Sequence, residues 1–255
     1  MISREELKQD LNQLLIDKEY IQAVWEGGSV ATGFMDAFSD LDLSIIVKEG
    51  YEEETFKCLE TFLDHTYGIL NRFRMPEPTW HGFSQAFYQI KQVSPWLYLD
   101  VCIIRETLPD KFTESDRHGV AHIWFDKKGI YHPTIQSQAT LEARCQKYYR
   151  LATQTDWLME IELRKNIERG ILTEAYHQLY SFTVRNLGIL LNLKHRPEKV
   201  DFQLRYAYRD FPKPDLDLIE SVFKASSIEE YRLVMEKVLN RYYQLKSELI
   251  KLWGM

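Results

Sequence analysis

The hydrophobic pattern of this chain turns from mixed to wholly helical between residues 132 and 137, and that change limits the architectures open to it. From residue 139 to 168 there is no glycine or proline, and apolar residues recur at helical spacing. Gly170 stops the run, so a long helix is expected over 139–168. A second helix is expected over 171–195, ending before Pro197. A shorter one follows at 198–210, and two more after Pro212 and Pro214, at about 215–224 and 227–252. N-terminal to the change, two periods alternate. Leu7, Leu11, Leu14 and Leu15 mark an amphipathic helix over 3–18, and 51–66 reads as another. Residues 20–26, 41–47, 82–90, 96–104 and 120–125 read as strands, the last closed by the turn Asp126-Lys127-Lys128-Gly129. The stretch before residue 82, with Pro76 and Pro78, reads as a loose connection. The expectation is an α+β chain: a mixed β-sheet with flanking helices over 1–134, then an all-helical bundle over 135–255.

Composition narrows the functional classes. The 255 residues carry a net charge of −6, which argues against a basic face built to grip long nucleic acid. Cys58, Cys102 and Cys145 form no CxxC pair, so neither a disulfide framework nor a zinc cluster is expected, and a reducing cytosol fits. The N-terminal run MISREELKQDLNQLL is charged throughout and has no apolar signal-peptide core. No stretch approaches the ~18 consecutive apolar residues of a membrane span. A cytoplasmic protein with no membrane partner is expected; oligomeric state is not legible.

Chemistry concentrates in WEGGSVATGFMDAFSDLDLSIIV, residues 25–47. Side chains on a strand alternate, so Asp40 and Asp42 share one face while Leu41 and Leu43 take the other. Two ionised carboxylates about 6.5–7 Å apart on a strand repel each other and resist burial unless a cation sits between them. Hard oxygen ligands with room for water and phosphate favour magnesium. An exposed strand start is the simpler explanation for such a pair taken alone. The preceding turn shifts the balance. Gly28 permits close backbone approach, and Ser29 suits the N-cap of a short helix, a combination that cradles phosphate. A third carboxylate, Asp100, interrupts the apolar strand WLYLDVCII. If that strand lies beside the one holding Asp42, the three acids converge, hold metal and leave one carboxylate to accept a hydroxyl proton.

Gly28-Ser29 followed by Asp40-Leu41-Asp42-Leu43 resembles the signature of the DNA polymerase beta-like nucleotidyltransferase superfamily, and Asp100 resembles its third carboxylate. The sheet half followed by helices, and the run FDKKGI at 125–130, resemble the small-molecule branch that includes aminoglycoside and lincosamide nucleotidyltransferases. Gly27 stands where an apolar residue is more usual. The resemblance implies that Asp40, Asp42 and Asp100 bind magnesium, two ions in all, and that Asp100 serves as base. It implies that Gly28 and Ser29 contact the phosphates of a nucleoside triphosphate, with ATP as co-substrate. The implied reaction moves AMP to a hydroxyl of a small-molecule acceptor and releases pyrophosphate. Two alternatives stay open: a catalytically silent nucleotide-binding or regulatory protein on the same fold, and a transferase that modifies a protein side chain.

Arg185 would meet the triphosphate or pair with an acid such as Glu142 or Glu174, and Lys199 would contact the nucleotide beside a helix start at Pro197. Tyr148, Tyr149, Asn186 and Arg205 are further polar residues in apolar surroundings. Trp80 and His81 are placed near the cleft, against a base or acceptor. His118 and His122, four apart along an expected strand, would stand ~13 Å apart. They and His132 are therefore read as surface or loop residues. Cys58 and Cys102 read as small core residues.

Overall fold

The computed structural model describes residues 1–253 and divides the chain into two compact units, Met1–Ile135 and Gln136–Met255. The chain is α+β. The first unit runs α1 (Arg4–Ile16), β1 (Ile21–Glu26), α2 (Gly28–Thr32), β2 (Leu41–Val47), α3 (Glu52–Thr66), β3 (Ile69–Arg74), β4 (Ser84–Ile90), β5 (Leu99–Arg105), α4 (Ser115–His118) and β6 (His122–Asp126). Its strands form one sheet in the order β3-β4-β5-β2-β1-β6. β2 and β5 run parallel, and the other neighbours are antiparallel, so the sheet is mixed.

Alternation along the central strands decides which face is core. Leu41, Leu43 and Ile45 of β2 and Leu99, Val101 and Ile103 of β5 turn toward one face and are buried. There they meet Leu7, Leu11 and Leu15 of α1 and Phe56, Leu59 and Leu63 of α3. Each such side chain contributes about 1.5–3 kcal/mol when fully buried. α1 starts cleanly because Ser3 and Glu6 form a reciprocal capping box. The opposite face carries Asp42, Ser44, Asp100 and Cys102. It is covered only in part, by a smaller cluster of Ala23, Trp25, Ile46, Phe83, Ile104 and Tyr131.

β3 falls in the stretch that reads as a loose connection. Its residues, ILNRFR, show no apolar alternation because β3 is an edge strand. Its helix-facing side is held by charge instead: Arg72 pairs with Glu60 at 2.6 Å, and Arg74 pairs with Glu53 while lying 4.2 Å from the Phe56 ring centre.

The second unit is helical: α5 (Gln138–Thr153), α6 (Asp156–Glu168), α7 (Leu172–Ser181), a π-helical segment (Phe182–Leu187), α8 (Gly188–His195), a 3₁₀ segment (Pro197–Phe202), α9 (Ala207–Asp210), α10 (Lys213–Lys224) and α11 (Ile228–Trp253). Its core includes Cys145, Leu179, Phe182, Leu190, Val238 and Tyr242. The single helix expected over 139–168 is broken at residues 154–155. The carbonyl of Ala152 is taken by Asn186 Nδ2 at 2.5 Å and Tyr242 Oη at 2.9 Å. The buried Asp156 carboxylate at the new helix start accepts from Tyr242 Oη at 3.0 Å and Lys246 Nζ at 2.5 Å. Long-range partners thus satisfy the groups that a break exposes. The helix expected over 198–210 is also interrupted. Gln203 (φ 52°) and Tyr206 (φ 64°) adopt left-handed backbone. Buried Arg196 holds this turn by donating to the carbonyls of Gln203 (3.2 Å) and Arg205 (2.8 Å) and to Asp210 (2.6 Å). Among the described residues no helix is long and apolar enough to cross a membrane.

Candidate active site

Parallel pairing of β2 with β5 puts Asp42 directly opposite Asp100. Adjacent strands lie about 4.8 Å apart and opposed residues share a face, so the two carboxylates leave the sheet side by side. Asp40 lies just before β2 on the same parity. Its carboxylate accepts from the hydroxyl of Tyr98, whose phenol is pushed up by burial and by that bond. Its backbone carbonyl accepts from Arg4 Nη2 at 2.9 Å, and Arg4 also pairs with Glu26, which ties α1 to the strand start. Cys102, two residues beyond Asp100 on the same face, has its thiol pushed up by burial and by the charges of Asp100 and Asp42, so it is no nucleophile.

The turn after β1 closes onto these acids. The Gly27 amide donates to the Asp42 carbonyl at 3.0 Å. Gly28 has φ +57°, and a Cβ there would overlap Asp42 Oδ2 outright. Only glycine fits both the backbone and the contact. Gly27 occupies the N-cap position of the five-residue α2, so Ser29 does not cap it as expected and sits in its first turn. The Ser29 hydroxyl is buried with no hydrogen-bond partner among the described residues. A cleft of about 150 Å³ opens here, lined by Gly27, Gly28, Asp42, Asp100, Phe112 and His118, among others. His118, partly exposed at the end of α4, lines this cleft, its ring 5.3 Å from that of Phe112. His122 instead lies on β6, opposite Glu26.

A side chain that carries no sequence motif also touches the acids. Gln85 Nε2 donates to Asp100 Oδ1 at 2.6 Å, and Gln85 Oε1 meets His81 Nε2 at 3.1 Å. His81 Nδ1 accepts from the Phe83 amide at 3.0 Å. That bond assigns the ring proton to Nε2, which fixes the Gln85 amide with its NH₂ toward Asp100. His81 therefore reaches the acids through Gln85, while Trp80 lies exposed, 5.9 Å from Phe112. Only strand parity could have flagged Gln85 in the sequence.

Arg185 and Lys199 belong to the helical unit. Arg185 is exposed on the π-helical segment, and Lys199 lies 3.8 Å from Asp210 Oδ2, beside Arg196. Among the described residues no cluster of three or more His, Cys, Asp or Glu is gathered as a ready metal cage. The donor set still fits a hard divalent cation, because magnesium is usually held by one or two carboxylates plus substrate phosphates. Asp42 and Asp100 supply the pair, with the Gly28 backbone against Asp42 and the orphaned Ser29 hydroxyl on the next residue of the turn.

No family model matches the chain, and no curated protein matches it. Among solved structures it is similar to one of a GLD-2/RNP-8 complex, with a TM-score of 0.32 and 11% identity, covering 91% of this chain and 74% of that one. It is also similar to a STING-associated CdnE c-di-GMP synthase from Capnocytophaga granulosa, with a TM-score of 0.30 and 16% identity, covering 96% of this chain and 81% of that one.

Proposed function

We propose that the chain is a magnesium-dependent nucleotidyltransferase of the DNA polymerase beta-like superfamily, moving a nucleoside monophosphate, AMP from ATP, to a hydroxyl of a small-molecule acceptor. The observation that carries this reading is the register of Asp42 against Asp100, with the Gly28 turn pressed onto the Asp42 carboxylate.

In this reading the Gly28 backbone and the Ser29 hydroxyl receive the β- and γ-phosphates. Asp42 and Asp100 hold magnesium, and Asp40, one rung away, joins them by leaving the Tyr98 hydroxyl. When bound, the cation neutralises phosphate charge and polarises the α-phosphorus for attack. The acceptor oxygen bonds to the α-phosphorus while the bond from that phosphorus to the bridging oxygen of pyrophosphate breaks. The acceptor proton passes to the Asp100 carboxylate, which the Gln85 amide orients. Pyrophosphate leaves with the bonding electron pair. Arg185, exposed, is the helical residue suited to meet the triphosphate; Lys199 would first have to leave Asp210.

The test is pyrophosphate release from each nucleoside triphosphate with magnesium, across a panel of hydroxyl acceptors. Release by wild type and its loss in Asp42→Asn supports the reading. Triphosphate binding without turnover across the panel favours a silent nucleotide-binding protein, and a labelled protein band from lysate with labelled ATP favours a protein acceptor.

A further inference from the structure

The row that holds the two acids does not end at β5. Register carries Asp100 to Phe87 on β4, and Phe87 to Phe73 on β3. Phe73, Phe87, Asp100 and Asp42 therefore leave the same face of the sheet, one strand apart in turn. The Phe73 and Phe87 rings stack with centroids 6.2 Å apart and planes inclined by 19°. Tyr98, which binds Asp40, sits 6.3 Å from Phe87. Phe73 is 58% exposed and Tyr98 40%. On the next rung Asn71 faces Gln89, and their amides bond at 2.7 Å. The opposite face of β4 buries Ala86, Tyr88 and Ile90 in the ordinary way. The aromatic residues are thus turned outward on the very row that bears the acids.

We propose that Phe73, Phe87 and Tyr98 form a platform for a flat heteroaromatic ring of the acceptor, and that the acceptor is a nucleoside or mononucleotide. The proposal rests on the nucleotidyl-transfer reading above and names its acceptor class. Strand order separates the two halves of such a site. The Gly28 turn lies on the β1 side of the acids and the rings on the β4–β3 side, so phosphates and platform do not compete. Phe87 and Phe73 stand one and two strand spacings from Asp100, about 5–10 Å. That reach suits a ribose hydroxyl at the acids with its attached base on the rings. The amides of Asn71 and Gln89 offer donors and acceptors to the edge of a base. The row stops at β3, the sheet edge, after two rings, which leaves room for one base. With a net charge of −6, the chain is poorly suited to a long strand.

The test is equilibrium binding of adenosine and uridine, with saturation-transfer NMR reporting which ligand protons touch the protein. Inositol and a hexauridylate serve as comparison ligands. Wild type is expected to bind the nucleosides through base protons. The Phe73→Ser/Phe87→Ser variant is expected to bind about 5- to 150-fold more weakly, the loss typical of one removed base stack. Phe73→Tyr should retain binding, which separates ring loss from misfolding, and melting curves check each variant. Nucleoside binding that depends on the rings but no pyrophosphate release leaves the platform standing and removes the transfer reading. Four results overturn the platform: no nucleoside binding by wild type, unchanged affinity in the Ser/Ser variant, inositol binding as tightly as adenosine, or hexauridylate binding where nucleosides do not.

Discussion

Glu26 and Asp100 are acids on neighbouring parts of one sheet, and the chain treats them in opposite ways. Glu26 ends β1 on the helix-packed face and is wholly buried. Arg4 pairs with it, and Lys8 Nζ lies 3.2 Å away, both from α1. Its charge is cancelled by cations of the chain itself, as burial requires. Asp100 stands on the open face, oriented by the neutral amide of Gln85. Asp40 is likewise held by the neutral Tyr98 hydroxyl. A neutral amide and a neutral hydroxyl thus orient these two carboxylates. The Glu26 arrangement buries a charge against cations of α1, whereas Asp100 stands beside Asp42 on the wall of a cleft.

The sharpest way to break that comparison is to remove one charge from each side. Asp42→Asn should cost about 10²–10³-fold or more in kcat/KM, the scale of losing an electrostatic partner of the reacting phosphoryl group. Its melting temperature should hold or rise, because like-charge repulsion across the row is relieved. Steady-state pyrophosphate release and a melting curve read both. Glu26→Ala should do the reverse. Leaving Arg4 and Lys8 without their buried counter-charge should destabilise the unit by about 3–5 kcal/mol, read by denaturant unfolding. An Asp42→Asn variant that unfolds, or a Glu26→Ala variant that does not, would erase the distinction.

Smaller substitutions sharpen it. Gly28→Ala forces a non-glycine residue into left-handed backbone, at about 1–2 kcal/mol, and drives a methyl into the Asp42 carboxylate. Triphosphate affinity should fall further than stability does, as seen by titration calorimetry beside a melting curve. Gln85→Leu frees Asp100 to rotate and should cost about 10–100-fold in activity, with the fold intact by circular dichroism.

The strands that read clearly in the sequence were those with one buried face. Leu41-Asp42-Leu43 and Leu99-Asp100-Val101 show both their period and the anomaly within it. Parity alone told that Asp40 and Asp42 share a face. That Asp42 meets Asp100 depends on parallel register between strands more than fifty residues apart, which no local pattern encodes. β3 stayed hidden because charged pairs replace apolar alternation on its inner side. The break at residues 154–155 stayed hidden because Asn186, Tyr242 and Lys246, all distant in sequence, satisfy it. Gln85 reaches Asp100 through strand parity, and His118 lines the same cleft from the end of α4; neither leaves a motif.

The most direct test of the open-face acids is calorimetric titration of ATP into the wild-type chain and into Asp42→Asn, each with and without magnesium. On the magnesium-site reading, wild type binds ATP only when magnesium is present, and Asp42→Asn loses this binding while melting normally. Equal binding without magnesium, or undiminished magnesium-dependent binding by Asp42→Asn, would contradict it.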